Sequence, residues 1–336
     1  MPRKDLRPAL IIHGGAGALG PSRERPARSR GMLAAAERGA EVLREGGSAL
    51  DAVVAAVTVL EDDPLFNAGY GSTLNADGKV EMDASLMIFP PDGGNRPPEQ
   101  AHRGETRLLQ FGMGAVAAVS RVRNPIMLAR AVMDFTPHVL MVGAGAERVA
   151  RPAGLKRCRL EELISPRARK LWRASTERLA AGKHKMSGDR HGRNATGEHG
   201  TVGAVAVDAQ GRLAAATSTG GIHGKLPGRV GDSAIVGAGT WADAGGAASA
   251  TGLGEAIIKT MLSLEAVRTL GHTSPARAAR GAIARLHKIE GAEGGIIVVD
   301  RHGRIGYASN AERMEVALFD PIDGIRLDSA GRAAGG

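Results

Sequence analysis

The stretch Glu198-His199-Gly200-Thr201-Val202-Gly203-Ala204-Val205-Ala206-Val207 places a threonine where a buried strand is predicted to begin. A threonine hydroxyl is a weak nucleophile unless a base lies beside it. The α-amino group of the same residue would be such a base, because its pKa is about 7.7–8.0. In the intact chain that amine is part of the Gly200–Thr201 peptide bond. Cleavage of this bond would leave Thr201 carrying nucleophile and base together.

A threonine at such a position is most often simply a β-branched residue that begins a strand. Two features of this stretch favour cleavage instead. Gly200 leaves the carbonyl that would be attacked unshielded. The branched side chain of Thr201 restricts χ1 and would hold Oγ in one orientation. The local sequence alone leaves both interpretations open.

Three downstream motifs support the nucleophile. Thr217-Ser218-Thr219-Gly220-Gly221 ends the strand predicted to pair with the first, so a second hydroxyl could face Thr201. Arg229 and Asp232, three residues apart in a turn, suit the carboxylate and ammonium of an amino acid; the alternative is a surface ion pair. Ala250-Thr251-Gly252-Leu253-Gly254-Glu255 predicts an oxyanion hole at a helix start, or else a simple N-cap.

Composition limits the class of protein. The 336 residues are 43% hydrophobic and 24% charged, which is typical of a globular chain. The lone Cys158 excludes an internal disulfide and a cysteine metal cluster. The apolar run near the N-terminus is too short for a signal peptide or membrane span, so a cytoplasmic location is expected. Most of the net charge of +9 falls between Arg151 and Gly200, so a globally basic nucleic-acid-binding surface is not indicated.

Hydrophobic periodicity and turn residues predict mixed helices and strands. Helices are predicted over 24–45, from Ser48 as N-cap to about residue 60, from Asn124-Pro125 to about Phe135, from about Gly254, and after Ser274-Pro275. Strands are predicted over 8–12, 79–89, 113–119, 201–207, 212–219, 295–299, 303–309 and 313–319. Residues 90–106 are interpreted as a surface insertion and residues 183–200 as a flexible linker.

Two other motifs carry less weight. Gly15-Ala16-Gly17-Ala18-Leu19-Gly20 has the spacing of a dinucleotide-binding loop, but Pro21 interrupts the helix start and no ribose-binding acid follows on a second strand. His184, His191 and His199 are spaced wrongly for ligands on a helix and are interpreted as solvated linker side chains. The basic segment Lys156–Arg193 could instead tether an anionic polymer, although a solvated helix and linker fit it better.

Taken in order, the motifs resemble the plant-type L-asparaginase/isoaspartyl aminopeptidase family of N-terminal-nucleophile hydrolases over nearly the whole chain. The segments that carry the resemblance are His13-Gly14-Gly15-Ala16-Gly17, Leu60-Glu61-Asp62-Asp63-Pro64-Leu65-Phe66-Asn67-Ala68-Gly69, Asp83-Ala84-Ser85, Thr136-Pro137-His138-Val139-Leu140, Gly200-Thr201-Val202-Gly203-Ala204-Val205, Ser218-Thr219-Gly220-Gly221 and Pro227-Gly228-Arg229-Val230-Gly231-Asp232. The sequence departs from the family in the insertion at 90–106 and in the basic linker.

The resemblance implies an α+β fold, a single domain over residues 1–336 built as a four-layer αββα sandwich. Self-cleavage would yield an α chain (1–200) and a β chain (201–336) that assemble as (αβ)2. Thr201 would be the nucleophile and Thr219 its helper, with Thr251 and Gly252 as the oxyanion hole. Arg229 would hold the substrate carboxylate and Asp232 its ammonium, with Asn67 and Gly254 also assigned to the substrate site.

The implied substrates are L-asparagine and β-aspartyl (isoaspartyl) dipeptides, with no organic cofactor. The family's structural sodium ion would be held by backbone carbonyls of Leu60, Glu61, Asp63, Phe66, Ala68 and Tyr70. Two alternatives remain open: a glycosylasparaginase-like hydrolase with the same nucleophile, and a non-catalytic binding protein on the same scaffold.

Overall fold

The computed structural model describes residues 6–18, 21–89, 111–180 and 200–332, with the side chains of 178–180 outside the description. The predicted insertion and linker residues 183–199 lie outside these ranges, as do His184, His191 and His199. Gly200, the residue before the proposed nucleophile, is described. No helix within the described ranges is long and apolar enough to cross a membrane.

The chain forms strands and helices in mixed order, so the predicted α+β class is confirmed. The strands are β1 (Ala9–Gly17), β2 (Met82–Phe89), β3 (Gly112–Val119), β4 (Leu140–Val142), β5 (Val202–Val207), β6 (Leu213–Thr219), β7 (Thr240–Asp243), β8 (Gly246–Gly252), β9 (Gly294–Asp300), β10 (Ile305–Ser309), β11 (Arg313–Asp320) and β12 (Gly324–Ala330). The helices are α1 (Arg25–Arg44), α2 (Ala49–Asp62), α3 (Pro125–Phe135), α4 (Gly143–Glu147), α5 (Pro166–Ala180), α6 (Gly254–Thr260), α7 (Leu262–Thr269) and α8 (Pro275–His287).

The strands form two sheets. The larger has the order β12-β11-β1-β5-β6-β2-β3-β4, and the smaller has the order β10-β9-β8-β7. The predicted hairpin is confirmed: β5 and β6 are antiparallel neighbours at the middle of the larger sheet, with Val202 opposite Ser218. This register places Thr201, which precedes β5, beside the C-terminal end of β6.

Three hydrophobic clusters hold the elements together. One lies between α1, α2 and α3 and the larger sheet, one lies between the two sheets, and one lies between the smaller sheet and helices α6 to α8. Strand β5 contributes to two of them, because Val202, Ala204 and Ala206 belong to the first while Val205 and Val207 belong to the second. Burial on both faces explains its continuous apolar sequence.

Local signals account for the confirmed helices. The Ser48 hydroxyl accepts the N–H of Asp51 at 3.0 Å and caps α2, and Pro125 occupies the first turn of α3. The helix predicted from Gly254 is instead two helices, because Met261 has φ +46° and interrupts it. Strand β1 is longer than predicted, and its pairing with β11 shifts between His13 and Ala16.

Other elements were missed. Strand β8 reads Gly-Ala-Ala-Ser-Ala-Thr-Gly and lacks the β-branched and aromatic residues that mark most strands. Strands β4 and β7 were missed because three and four residues are too few to show an alternating pattern. Strand β12 is largely polar and lies at the edge of the larger sheet.

Candidate active site

Two threonine hydroxyls meet at the end of the central hairpin. Thr201 Oγ donates to Thr219 Oγ at 3.1 Å, and both residues are buried, at 7% and 2% exposed. The Thr219 hydroxyl also accepts the N–H of Gly221 at 2.9 Å. The structure therefore brings together the two hydroxyls that the hairpin prediction places opposite each other, at a site largely shielded from solvent.

The carbonyl of the proposed scissile bond is held by a backbone donor. The N–H of Asn67 donates to Gly200 O at 3.2 Å. The Asn67 amide is itself fixed, because Oδ1 accepts the N–H of Thr73 at 2.8 Å and Nδ2 donates to Gly221 O at 2.7 Å. A Cβ on Gly200 would lie 2.6 Å from Cβ of Asn67, so only glycine fits here. An N–H in this position can stabilise negative charge on the carbonyl oxygen.

Arg229 already holds a carboxylate. Its Nε and Nη2 donate to the two carboxylate oxygens of Glu255 at 2.9 and 3.0 Å, a bidentate geometry. The side chain of Arg229 is 17% exposed and that of Glu255 is 50% exposed. The Arg229 guanidinium is thus arranged to bind a carboxylate. The carboxylate that it binds in this structure, that of Glu255, is accessible to solvent.

Asp232 is a buried carboxylate with an open oxygen. It is 4% exposed, and its Oδ2 has no hydrogen-bond partner among the described residues. Burial raises the pKa of Asp232 to about 7, against the opposing charge of Arg229. A Cβ on Gly254 would lie 2.7 Å from Arg229 Nη2 and 2.8 Å from Asp232 Oδ1, so the glycine makes room for both groups. Such a carboxylate suits an incoming cation.

Thr251 and Gly252 end strand β8, and helix α6 begins two residues later at Gly254, where the sequence predicts a helix start. The Thr251 hydroxyl accepts the N–H of Ala16 at 3.3 Å, which leaves its own proton available for donation. Gly252 has φ +136°, and a Cβ there would lie 2.4 Å from Cα of Gly294. Its backbone therefore follows a path that glycine allows.

These groups share one small cavity, which we call the threonine pocket. Its lining residues are Gly200, Thr201, Thr219, Gly221, Ile222, Arg229, Asp232 and Gly252. Two threonine hydroxyls, a guanidinium and a carboxylate thus face one space. Thr251, Asn67 and Gly254 lie next to residues of that lining and outside it.

A buried chain of polar side chains that begins at His13 was missed from the sequence. His13 Nε2 lies 3.0 Å from Ser249 Oγ, Ser249 Oγ lies 2.7 Å from Thr217 Oγ, and Thr240 and Ser85 continue the hydroxyl contacts. Burial lowers the pKa of His13 to about 3, against the opposing effect of a hydrogen bond to the backbone of Thr201. The sequence drew attention to His13 only as the first residue of the motif His13-Gly14-Gly15-Ala16-Gly17. Nothing in the sequence indicated which side chains it contacts.

The loop between α2 and the Asn67 region gathers carbonyl oxygens. A Cβ on Gly71 would lie 2.0 Å from Phe66 O and 2.9 Å from Asp63 O, and one on Gly69 would lie 2.4 Å from Glu61 O. The two glycines thus allow the backbone to pass close to three carbonyls. Each carbonyl oxygen has two lone pairs, so those that accept backbone N–H groups keep one free. A set of neutral oxygens suits a hard cation.

The amino-acid sequence is similar to proteins of known families. A family model described as asparaginase matches residues 6–96 and 105–322. The chain is 44% identical to the isoaspartyl peptidase/L-asparaginase of Bos taurus over 302 residues, which are 89% of this chain and 88% of that protein. It is 41% identical to the plant-type L-asparaginase of Pyrococcus horikoshii over 330 residues, 96% of this chain and 99% of that protein. The isoaspartyl peptidase/L-asparaginase of Homo sapiens is 45% identical over 260 residues, 77% of this chain and 75% of that protein.

Proposed function

The chain belongs to the asparaginase family, and from that premise we propose that it is a self-cleaving threonine hydrolase of L-asparagine and β-aspartyl dipeptides. The observation that carries the proposal is the contact of 3.1 Å between Thr201 Oγ and Thr219 Oγ, in a pocket that also contains Arg229 and Asp232. A hydrolase of an amino acid side-chain amide needs this combination of nucleophile, carboxylate clamp and ammonium acceptor.

Self-cleavage begins with attack of Thr201 Oγ on the carbonyl carbon of Gly200. The oxygen of that carbonyl gains negative charge, which the N–H of Asn67 is placed to stabilise at 3.2 Å. The Gly200–Thr201 C–N bond breaks, and the nitrogen takes the hydroxyl proton as the acyl group moves to Oγ. Water then hydrolyses the ester, leaving a carboxylate on Gly200 and a free amine and hydroxyl on Thr201.

Turnover reuses the same hydroxyl. The freed amine of Thr201 takes the Oγ proton while Oγ attacks the side-chain carbonyl of the substrate. Thr251 and Gly252 would stabilise the oxyanion, Arg229 would hold the α-carboxylate in place of Glu255, and the open Oδ2 of Asp232 would accept from the α-ammonium. Ammonia or an amino acid leaves, and water resolves the β-aspartyl ester to free aspartate.

The proposed activity is tested by release assays on the purified protein. We expect ammonia from L-asparagine and free amino acids from β-aspartyl dipeptides. Denaturing electrophoresis should show fragments of about 200 and 136 residues, the smaller starting at Thr201. A single uncleaved chain without either activity would favour a non-catalytic binding protein. Turnover of N-glycosylated asparagine in preference to both substrates would favour the glycosylasparaginase-like alternative.

The pH dependence follows from Asp232. The ammonium of the substrate pairs with the carboxylate, and burial raises the pKa of Asp232 to about 7, so kcat/KM should rise with pH through this value. The Thr201 amine, with a pKa of about 7.7–8.0, must also lose its proton. Below about pH 6.5 the logarithm of kcat/KM should therefore approach a slope of two.

The Asp232→Asn variant separates the two ionisations. It should show a lower maximum and an acid-side slope of one, because only the amine of Thr201 still titrates. The measurement is kcat/KM for L-asparagine between pH 5.5 and 9 in both proteins. An unchanged slope in Asp232→Asn would remove Asp232 from substrate binding.

We infer further that the loop gathering carbonyl oxygens holds a sodium ion. Its ligands would be the backbone carbonyls of Leu60, Glu61, Asp63, Phe66, Ala68 and Tyr70. The glycines at 69 and 71 support this site, because they allow the backbone to draw the carbonyls of Glu61, Asp63 and Phe66 close together. The ion would fix the loop that carries Asn67. Exchange of sodium for choline in the buffer should therefore lower the melting temperature of the protein. An unchanged melting temperature would argue against the ion.

The larger architecture is proposed in the same way. Three stacked hydrophobic clusters support a four-layer αββα sandwich forming one domain. The exposed Phe135, Val139, Leu140 and Val142 support assembly of two αβ units, which light scattering would detect as twice the mass of one. The cytoplasmic location stays a prediction.

A further inference from the structure

A second cavity adjoins the threonine pocket at Gly200, and we propose that it binds the departing amino acid of a β-aspartyl dipeptide through its α-carboxylate. This inference rests on the proposed function and adds a substrate preference to it. We call the cavity the arginine pocket. Its charged lining residues are Arg25, Arg28, Arg167, Arg313 and Glu315, and it also contains Leu65, Asn67, Thr73, Ala168, Leu171, Gly200 and His223.

Position is the first argument. Gly200 lines both cavities, and its carbonyl is the group that Thr201 attacks in the precursor. Arg229 and Asp232 line only the threonine pocket, so the aspartyl head of a substrate is held there. The departing group extends away from that head, and the arginine pocket is the neighbouring space on the Asn67 side of Gly200.

Charge is the second argument. Four guanidinium groups line the arginine pocket, against a single carboxylate. That carboxylate, Glu315, is already shared, since it lies 3.9 Å from Arg28 and 3.4 Å from Arg313. Among the described lining residues, positive charge is therefore in excess, which favours an entering carboxylate.

The four arginines differ in how firmly they are held, and Arg313 is held by its ion pair with Glu315. Arg28 donates to the carbonyls of Gly14 and Leu65 and stacks on Phe66, 4.6 Å from the ring centroid, so it is a fixed part of the wall. Arg167 lines the pocket and lies 3.5 Å from Glu24, which is not a lining residue. Arg25 is exposed, and no described residue forms an ion pair or hydrogen bond with its side chain. It is the cation best able to turn toward a ligand.

The apolar lining indicates the side chain that fits beside this carboxylate. Leu65 and Leu171 are half-buried and Ala168 is buried, so an aliphatic departing residue would find hydrophobic contacts. A β-aspartyl-leucine substrate meets both conditions. L-Asparagine releases ammonia, which has neither carboxylate nor side chain, and so cannot use the pocket.

The experiment compares three substrates: β-aspartyl-leucine, its C-terminal amide, and L-asparagine. Each is measured with the wild type, Arg25→Gln and the control Arg30→Gln, which removes the same charge from an exposed position of α1 outside the pocket. The quantity is kcat/KM for each peptide divided by kcat/KM for L-asparagine. This ratio cancels losses from folding or maturation.

We expect Arg25→Gln to lower the ratio for β-aspartyl-leucine about five- to tenfold, the size of a partly screened charged hydrogen bond. The ratio for the amide should already be low in the wild type and unchanged in the variant. Arg25→Lys should recover part of the loss, and Arg30→Gln should match the wild type.

Other outcomes overturn the inference. Equal ratios in Arg25→Gln and wild type, or an equal loss for peptide and amide, would show that no carboxylate is recognised. An increase in turnover of all three substrates would indicate that the pocket instead holds the new C-terminal carboxylate of Gly200. If the wild type hydrolysed none of the substrates, the proposed function would fail first, which separates the two failures.

Discussion

Thr201→Ala is expected to remain a single polypeptide of 336 residues and to lose hydrolysis of L-asparagine and β-aspartyl dipeptides by at least about a thousandfold. The hydroxyl that Thr219 contacts at 3.1 Å is absent in this variant, so neither the acyl shift nor the later attack on substrate can begin. Electrophoresis with N-terminal sequencing, together with the release assays, measures both losses.

The matched control for this prediction is Thr201→Ser. Serine keeps the hydroxyl but not the methyl group that restricts χ1, so cleavage and turnover should be slower but present. Circular dichroism should show Thr201→Ala folded, because the removed side chain atoms lie at the edge of a pocket rather than in a hydrophobic cluster. Cleavage before residue 201 in Thr201→Ala would exclude this nucleophile.

Arg229→Ala should cleave itself normally yet lose kcat/KM for both substrates by about a hundred- to a thousandfold, the effect of removing a bidentate charged contact. The precursor makes no use of an α-carboxylate clamp, whereas a free amino acid substrate does. Loss of the guanidinium also removes the positive charge that opposes the raised pKa of Asp232, so the ammonium contact should weaken at neutral pH.

Two variants sharpen the result. Arg229→Lys keeps a charge but not the planar fork that meets Glu255, so it should fall between wild type and Arg229→Ala. Arg268→Ala removes an arginine that pairs with Glu265 at 3.0 Å and does not line the threonine pocket, and it should match the wild type. Unchanged turnover in Arg229→Ala would remove this residue from substrate binding.

The sequence predicted the parts of the site that depend on local order. The β5–β6 hairpin follows from two apolar runs and a turn, and it brings Thr201 to Thr219. By contrast, Arg229 lies in a turn and its partner Glu255 lies in helix α6, 26 residues later. Local sequence patterns do not predict a contact between residues so far apart. The helix start predicted at about Gly254 is confirmed, whereas strand β8 before it was missed, because β8 is built from small residues whose strand preference comes from packing between sheets.

The polar chain from His13 to Ser85 could not be anticipated for a related reason. Its members come from both sheets, and each looks like an ordinary hydroxyl residue or a motif histidine in the sequence. Only the face-to-face packing of the sheets places His13 within 3.0 Å of Ser249. The roles proposed for Arg229 and Asp232 are tested by the variants of those residues, and the roles of Thr251 and Gly252 stay predictions.

The strand order of the larger sheet has a consequence for the protein once it is cleaved before Thr201 as proposed. Strand β1 from the first fragment lies between β11 and β5 of the second, and β6 of the second lies beside β2 of the first. Two nicked pieces interleaved in this way cannot separate without breaking the sheet, and once separated by heat they must find each other again by diffusion. The matured protein should accordingly refold poorly on dilution, with a lifetime governed by its rate of unfolding rather than by an equilibrium.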